Sequence, residues 1–415
     1  MKQTKHYSAG PRGETVRSDC YIEIELKESG GIKLNLKSKV ESMYGESIRK
    51  LILDMCKFFS LKNVKMTVED YGALPFTIAA RFETVIKRAL SKTKKEYLLP
   101  IEKKNLYPTK KDHLRRSRLY LPGNEPKFFV NAGLHNPDGI ILDLEDSVAP
   151  SEKDAAQLLV RNTLRSVDFS CPGEAKQRRN SCERMVRINQ LPKGLDDLKF
   201  IVPHNVHVIL IPKCESAEQV KQVDVEVQKL RKLHNVKNEI YYMPIIESAL
   251  GVMKSFEIAS ASRNVCALSI GLEDYTADIG TQRTNEGKES LFARQMVVNA
   301  CRAAGVQPID SVFSDVSDME ALKQSAIEAR SLGFEGKGCI HPRQIKVIHE
   351  AFAPTNDEIE KAKKIVVAFE EAEKKGLGVV SLGSKMIDPP VVKRAQKTID
   401  LAIMNNLLPK DWRKQ

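Results

Sequence analysis

From about residue 116 onward, short apolar runs alternate with helical patterns, and this rhythm constrains the chain more than any other feature. Eight runs read as strands: 118–121, 139–142, 184–188, 206–211, 239–245, 266–270, 307–312 and 336–340. Helical periodicity fills most of the gaps between them. Eight β/α repeats in roughly 260 residues have the size and rhythm of a TIM barrel. An open doubly wound sheet is the alternative. The expected fold class is α/β, with a (β/α)8 barrel over 116–376. In such a barrel, function sits at the C-terminal ends of the strands.

Ahead of the barrel the pattern differs. "CYIEIEL" alternates Tyr21, Glu23 and Glu25 against Ile22, Ile24 and Leu26, a period-two strand. "GIKLNLKS" alternates again after Gly30 and Gly31, which predicts a hairpin. Val40, Met43, Tyr44, Ile48, Leu51, Met55 and Phe59 then fall near helical spacing. "NVKMTVED" and "LPFTIAA" read as two more strands, and a helix follows through 81–90. Residues 1–91 thus make a small α+β domain. It holds no cluster of His, Cys and acids that would suggest chemistry of its own.

The net charge is +12. Between residues 91 and 118, ten Lys and Arg face three acids, so most of the excess sits in one short segment. Such a run can serve nucleic-acid binding. With Pro100, Pro108 and no sustained helical period, it reads better as a solvated basic linker over 92–115. A phosphate-rich cofactor could also use it. Sparse aromatics give no stacking platform for nucleic acid. As a flexible coil the linker would span roughly 25–30 Å. Residues 377–415 form a C-terminal segment, expected to act as a lid or in oligomerisation.

The eight cysteines are scattered and none forms C-x-x-C. They read as reduced thiols, not as a disulfide framework or a zinc ribbon. No apolar run reaches the roughly 18 residues that span a bilayer. The first residues lack the apolar core of a secretory signal. The expected compartment is the cytoplasm, with no membrane partner.

"GIILDLEDSVAP", residues 139–150, opens like a buried strand and then sets down Asp143, Glu145 and Asp146. A carboxylate at the end of an apolar strand costs desolvation energy unless it is paired. The partner could be a lysine, an arginine or a metal. The other strand ends offer Arg187, Lys213 and Glu215, Glu247, then Glu273, Asp274 and Asp278, and finally Asp310 and His341. This ring holds many carboxylates and few cations. Oxygen donors converging from several strands suit a hard divalent cation, Mg2+ or Mn2+. "GFEGKG" lacks the spacing of a phosphate-binding loop. An acidic mouth alone names no reaction.

Eight ordered stretches carry a resemblance. They are "RRSRLYLPGNEPKFF", "DGIILDLEDSVAPSEKDAA", "RMVRINQL", "ILIPKCESAEQV", "MPIIESALGV", "GLEDYTADIG", "GFEGKGCIHPRQI" and "GSKMIDPPVVKRAQ". Together they resemble the citrate lyase β-subunit family, which includes malyl-CoA and citramalyl-CoA lyases. The similarity runs over 115–405. Residues 8–91 resemble the acyl carrier (γ) subunit of citrate lyase, through "SDCYIEIEL", "YGESIRKLILD" and "VEDYGALPFTIAARFETVIKRAL". The chain looks like a carrier subunit fused to a lyase subunit.

The resemblance implies a TIM barrel and a set of site residues. Glu247 and Asp274 would hold Mg2+, Arg187 and Glu247 would bind the substrate, and Arg187 would also act in catalysis. Asp388 would be a catalytic carboxylate on a C-terminal segment that reaches an active site, commonly a neighbour's. Asp143, Glu145 and Asp146 would lie outside the metal's own ligands. The implied reaction is a reverse Claisen cleavage of a citryl-type 3-hydroxyacyl thioester to an acetyl thioester and a 2-oxo acid. The family's carrier bears a phosphoribosyl-dephospho-CoA arm on a serine before the first strand. Ser18 is the match here, although it touches Asp19 directly where the family leaves one residue between; strict spacing would select Arg17. If Ser18 is unmodified, the chain resembles a stand-alone citramalyl-CoA or malyl-CoA lyase with a vestigial carrier domain and a free CoA thioester as substrate. Implied partners are a citrate lyase α-subunit and further copies of the chain in a trimer-based homo-oligomer. The 2-oxo acid released and the base for the hydroxyl proton stay open.

Overall fold

The computed structural model describes residues 5–170, 182–382 and 385–414. Cys171 lies outside them. The first unit is a four-stranded sheet in the order β1 (His6–Ala9), β2 (Cys20–Leu26), β4 (Val64–Asp70), β3 (Ile32–Ser38). Two helices complete it, α1 (Glu41–Phe58) and α2 (Pro75–Ala89). Ile22 and Ile24 of β2 are buried as the alternation requires.

Two local expectations fail here. The β2–β3 hairpin does not form, because β4 inserts between the two strands. It runs antiparallel to β2 and parallel to β3. Asn63 pins this arrangement: its side-chain oxygen accepts from the Gly31 amide at 2.8 Å, and its carbonyl accepts from the Lys27 amide at 3.0 Å. "LPFTIAA" is not a strand but the entry to α2, with Pro75 at the first helical turn, where proline costs no hydrogen bond. Residues from Phe76 to Ile86 are buried all round that helix. Its polar residues Thr77, Arg81 and Thr84 follow helical spacing, yet they are buried with the rest.

The reason for that burial is the barrel. Its strands are β5 (Ser117–Pro122), β6 (Gly139–Asp143), β7 (Glu183–Arg187), β8 (Val208–Ile211), β9 (Tyr241–Ile246), β10 (Ala267–Ile270), β11 (Gln307–Asp310) and β12 (Gly336–Cys339). All pair in parallel and in chain order, and β12 returns to β5 to close the barrel. The helices after the strands include α3 (Lys153–Ser166), α4 (Gly194–Ile201), α5 (Ala217–Leu233), α6 (Ala249–Met253), α7 (Ser255–Ala259), α8 (Leu272–Asp278), α9 (Leu291–Ala304), α10 (Met319–Leu332) and α11 (Arg343–Phe352). Ile141, Met185, Val208, Leu210, Met243 and Ile309 fill the lower interior. The doubly wound alternative is excluded by closure.

Helix α2 packs on α3, so one helix face serves the small sheet and the other the barrel. Across this seam Arg161 pairs with Glu83, Arg88 reaches Asp154 at 2.7 Å, and Asn162 donates to the Phe76 carbonyl at 3.1 Å.

The basic segment 92–115 is not a free coil, which corrects the flexible-linker expectation. Its backbone is bonded to the barrel wall. The Glu102 amide donates to the Arg165 carbonyl at 2.7 Å. The buried Asn105 side chain donates to the Val167 carbonyl at 2.7 Å. The Tyr107 hydroxyl donates to the Cys182 carbonyl at 2.7 Å, with the Arg184 guanidinium 4.3 Å from the Tyr107 ring. Arg115 ends the strap in a buried fork to Glu183. The lysines of the strap point outward while the chain beneath them is fixed.

After α11 come α12 (Asn356–Lys374), a small antiparallel pair β13 (Val380–Leu382) and β14 (Lys385–Ile387), and α13 (Pro389–Met404). Helix α13 packs against α12 around Phe369, Ala395, Ile399 and Trp412. It also bonds to strand starts: Asn405 to Arg116, and Lys397 to Glu335 at 2.9 Å. It therefore docks at the N-terminal end of its own barrel. None of its described residues lines the cavity at the mouth of its own barrel.

Candidate active site

The C-terminal ends of the strands enclose a cavity of about 350 Å³. Register brings its first pair together, since Asp143 on β6 lies opposite Arg187 on β7. The Arg187 guanidinium grips Asp143 with two bonds of 2.7 Å and lies 2.9 Å from Glu145. Burial alone would push the Asp143 carboxyl up, but Arg187 outweighs it and holds it below the usual carboxylate range. The amides of Glu145 and Ser147 also donate to Asp143. Close approach is built in at Gly123: any side chain there would strike the Asp143 carbonyl at 2.4 Å.

Lys213 follows β8 with φ +46°. That turn aims its ammonium among three acids, 3.4 Å from Glu145, 3.8 Å from Asp146 and 4.0 Å from Asp274. Its backbone amide donates to Glu247 at 2.6 Å. The question raised by residues 139–150 is thereby answered within the chain: Arg187 and Lys213 are the positive partners.

Glu247 stands just past β9 and is buried. Burial, with Asp274 adding to it, pushes its carboxyl up to about 8. Asp274 sits in the first turn of α8 and is far more exposed. Gly271, which precedes α8, leaves the room that Glu247 needs; a side chain there would meet its Oε2 at 2.5 Å. Two acids therefore face one spot at a shared cost in self-repulsion. Among the described residues no three His, Cys, Asp or Glu side chains are grouped to hold a metal. Two carboxylates suffice for Mg2+, which keeps waters and substrate oxygens for its other positions. Glu247 and Asp274 fit that ion.

The remaining strand-end residues have other partners. Ser248 donates to Glu215 at 2.6 Å, Asp278 accepts from the Ala249 amide, and Glu273 pairs with Arg283. Asp310 is buried between Lys337 at 2.6 Å and Arg294 at 3.3 Å. His341 accepts from the Arg343 amide, a turn contact. Asp388 is not in this cavity; its carboxylate accepts from the Val391 amide at 3.1 Å and caps α13. Ser18 is half-buried at φ +55°, its amide bonded to the Tyr71 carbonyl. Its neighbour Asp19 is locked by Arg81, which also donates to the Asn124 carbonyl at 2.9 Å. Asn124 follows β5, so the Ser18 loop adjoins the rim of the mouth. Arg118, unassigned from sequence, lines the cavity floor. Its signal was position: it shares the inward face of β5 with Tyr120.

A closed β/α barrel with charged side chains gathered at the C-terminal ends of its strands has the architecture of a barrel enzyme. Residues 116–342 match the HpcH/HpaI aldolase/citrate lyase model. Residues 12–89 match the acyl carrier model described as the malonate decarboxylase delta subunit. The chain is 38% identical over 300 residues to citrate lyase subunit beta of Leuconostoc mesenteroides subsp. cremoris, covering 72% of this chain and 96% of that protein. It is 32% identical over 300 residues to the mitochondrial citramalyl-CoA lyase of Homo sapiens, covering 69% and 85%. A crystal structure of CitE from Mycobacterium tuberculosis, in complex with magnesium, acetoacetate and coenzyme A, aligns with a TM-score of 0.55 at 26% identity, covering 69% of this chain and 97% of that one. The chain belongs to the HpcH/HpaI aldolase/citrate lyase family, and it is a carbon–carbon lyase.

Proposed function

We propose that the chain cleaves a citryl-type 3-hydroxyacyl thioester, with Mg2+, to an acetyl thioester and a 2-oxo acid. The observation that carries this is the convergence of buried Glu247 and the more exposed Asp274 beside the anchored Arg187. Glu247 and Asp274 would hold Mg2+, which as a Lewis acid stabilises the oxygens of the developing 2-oxo acid. Arg187 supplies fixed positive charge where oxyanion character grows. Asp143 and Glu145 orient that guanidinium, and Asp146 lies at the edge of the same cluster. Asp388 would protonate the enolate carbon of the leaving acetyl thioester, working in the mouth of a neighbouring copy. A trimer-based homo-oligomer would provide that neighbour.

The N-terminal unit bears on how substrate arrives. The packed strap and the Asp19–Arg81–Asn124 chain favour a domain that stays docked. A phosphoribosyl-dephospho-CoA arm on Ser18 would then serve its own barrel rim, with a citrate lyase α-subunit as acyl-transfer partner. The same rigidity suits the second reading, a stand-alone citramalyl-CoA or malyl-CoA lyase with a vestigial carrier. The cytoplasm is the compartment of this reading; Cys20, Cys56, Cys214, Cys266, Cys301 and Cys339 are buried free thiols. No helix among them is long and apolar enough to cross a membrane.

The test is 2-oxo acid release from citryl-CoA, citramalyl-CoA and malyl-CoA, with Mg2+ and with chelator. Metal-dependent cleavage of at least one is expected. No cleavage of any with Mg2+ present would overturn the proposal. The intact mass of protein from its native host separates the two readings, because only the first requires an adduct on Ser18.

A further inference from the structure

Arg118 is a buried cation with no anion of its own. It lies on β5 between Gly139 of β6 and Gly338 of β12 in the strand register. The two glycines mark a layer already full: a side chain at Gly139 would strike Met185 at 2.6 Å, and one at Gly338 would strike Val312 at 2.7 Å. Arg118 is fully buried. Its terminal nitrogens reach neutral atoms alone: the Met243 sulfur at 3.0 Å, the Ser269 hydroxyl at 3.4 and 3.5 Å, and the Asp310 carbonyl at 3.4 Å. Its Nε has no partner. The Asp310 carboxylate nearby is already shared by Lys337 and Arg294. Burial accordingly draws the Arg118 pKa down from its usual value.

A guanidinium kept this way is costly, and an apolar side chain of its size would pack the same space at less expense. Yet Arg118 lines the cavity that Arg187, Glu247 and Asp274 share. It sits near the start of β5, deeper in the barrel than Tyr120 and Pro122 of the same strand. The geometry points to Arg118 as the docking site for a second substrate carboxylate, so that the acid released is a dicarboxylic 2-oxo acid. This rests on the lyase reading above. In that reaction the carbinol carbon carries a hydroxyl, a carboxylate and the thioester arm. Its fourth substituent is hydrogen in malyl, methyl in citramalyl and a carboxymethyl group in citryl thioesters. A carboxymethyl group extends a carboxylate toward the floor and can give the guanidinium its counter-ion. Hydrogen or methyl would leave Arg118 unpaired, and a site with an unpaired buried polar group discriminates strongly.

The experiment uses the full chain with Mg2+ and the variants Arg118→Met and Arg118→Lys. Wild type should prefer citryl-CoA over citramalyl-CoA in kcat/KM. In Arg118→Met that ratio should fall by on the order of 10²-fold or more, and Arg118→Lys should restore part of it. Without ligand, Arg118→Met should melt at or above the wild-type temperature. An unchanged ratio, or an equal loss on both substrates with a lowered melting temperature, would show a packing role and overturn the assignment. Direct binding of oxaloacetate and pyruvate keeps the subsite testable apart from turnover. If no thioester is cleaved, the lyase reading fails, while tighter oxaloacetate binding that Arg118→Met abolishes still supports the subsite. Equal binding of the two acids by wild type overturns it.

Discussion

Arg161 and Glu83 meet across the seam between the small sheet and the barrel in a parallel fork of 3.0 and 2.8 Å, both side chains fully buried. Glu83 also accepts from the Tyr97 amide at 2.9 Å, which ties the strap into the same joint. Removing one partner leaves the other charged and dry. Glu83→Ala should therefore cost about 3–5 kcal/mol. The double variant Glu83→Leu, Arg161→Met should recover most of that loss. Thermal unfolding measures both; a double variant no more stable than the single would contradict the joint as drawn.

Two buried histidines, His204 and His207, and the partly buried His349 set an acid limit on stability. Burial, reinforced by the Arg165 charge, lowers His204 to about 3. Burial lowers His349 to about 4 although Asp138 opposes it, and burial with the Arg184 charge holds His207 well below its ordinary value. Unfolded, each would take a proton near its ordinary value of about 6.5. The unfolded chain thus binds more protons, and stability present above about 6.5 is lost as pH falls toward 3–4. Each histidine contributes up to about 1.4 kcal/mol per pH unit in that window. Melting temperatures from pH 7.5 to 4.5 should drop accordingly. His204→Asn, which keeps an acceptor for the Arg165 guanidinium, should flatten the slope.

How much of this was legible turns on whether the information is local. The barrel strands were, because residues such as 139–142 and 208–211 are apolar enough to need burial on both faces. The acids of the mouth were, because each closes such a strand. Pairings were not. Nothing near Gly30 says that β4 will slide between β2 and β3. Nothing in "LPFTIAA" says that α3 will cover the far face of a helix. The strap misled through composition: its lysines are solvated, but its carbonyls, amides and Asn105 are spent on the barrel wall. Arg187 was read from a motif, while its fork to Asp143 came from register between strands 44 residues apart. Arg118 hid in a strand alternation that looked complete without it.

Glu247→Gln should separate metal binding from folding. The amide keeps the shape and can still accept from the Lys213 amide, but it removes the charge that Mg2+ requires. Mg2+ should raise the melting temperature of wild type and not of the variant. Metal affinity should fall by more than the roughly 10–100-fold typical of groups outside the ligands. Full activity of the variant in chelator-treated buffer would disprove the ligand assignment.

Asp388 gives the sharpest test of assembly. Its carboxylate caps α13, and α13 is bonded through Asn405 and Lys397 to the end of its own barrel opposite the mouth. Any catalytic role must then be played in another copy. Asp388→Asn keeps an oxygen for the cap, so folding and Mg2+ affinity should stay near wild type. Turnover should drop on the order of 10²–10⁴-fold, as for loss of a general acid–base group. Mixing this variant with Glu247→Gln, after dissociation and reassembly, should restore activity. Mixed oligomers would contain mouths with an intact Glu247 served by an intact Asp388 from the neighbour. Neither parent has such a mouth. Activity that stays at the parental level in verified mixed oligomers would assign Asp388 to α13 capping alone.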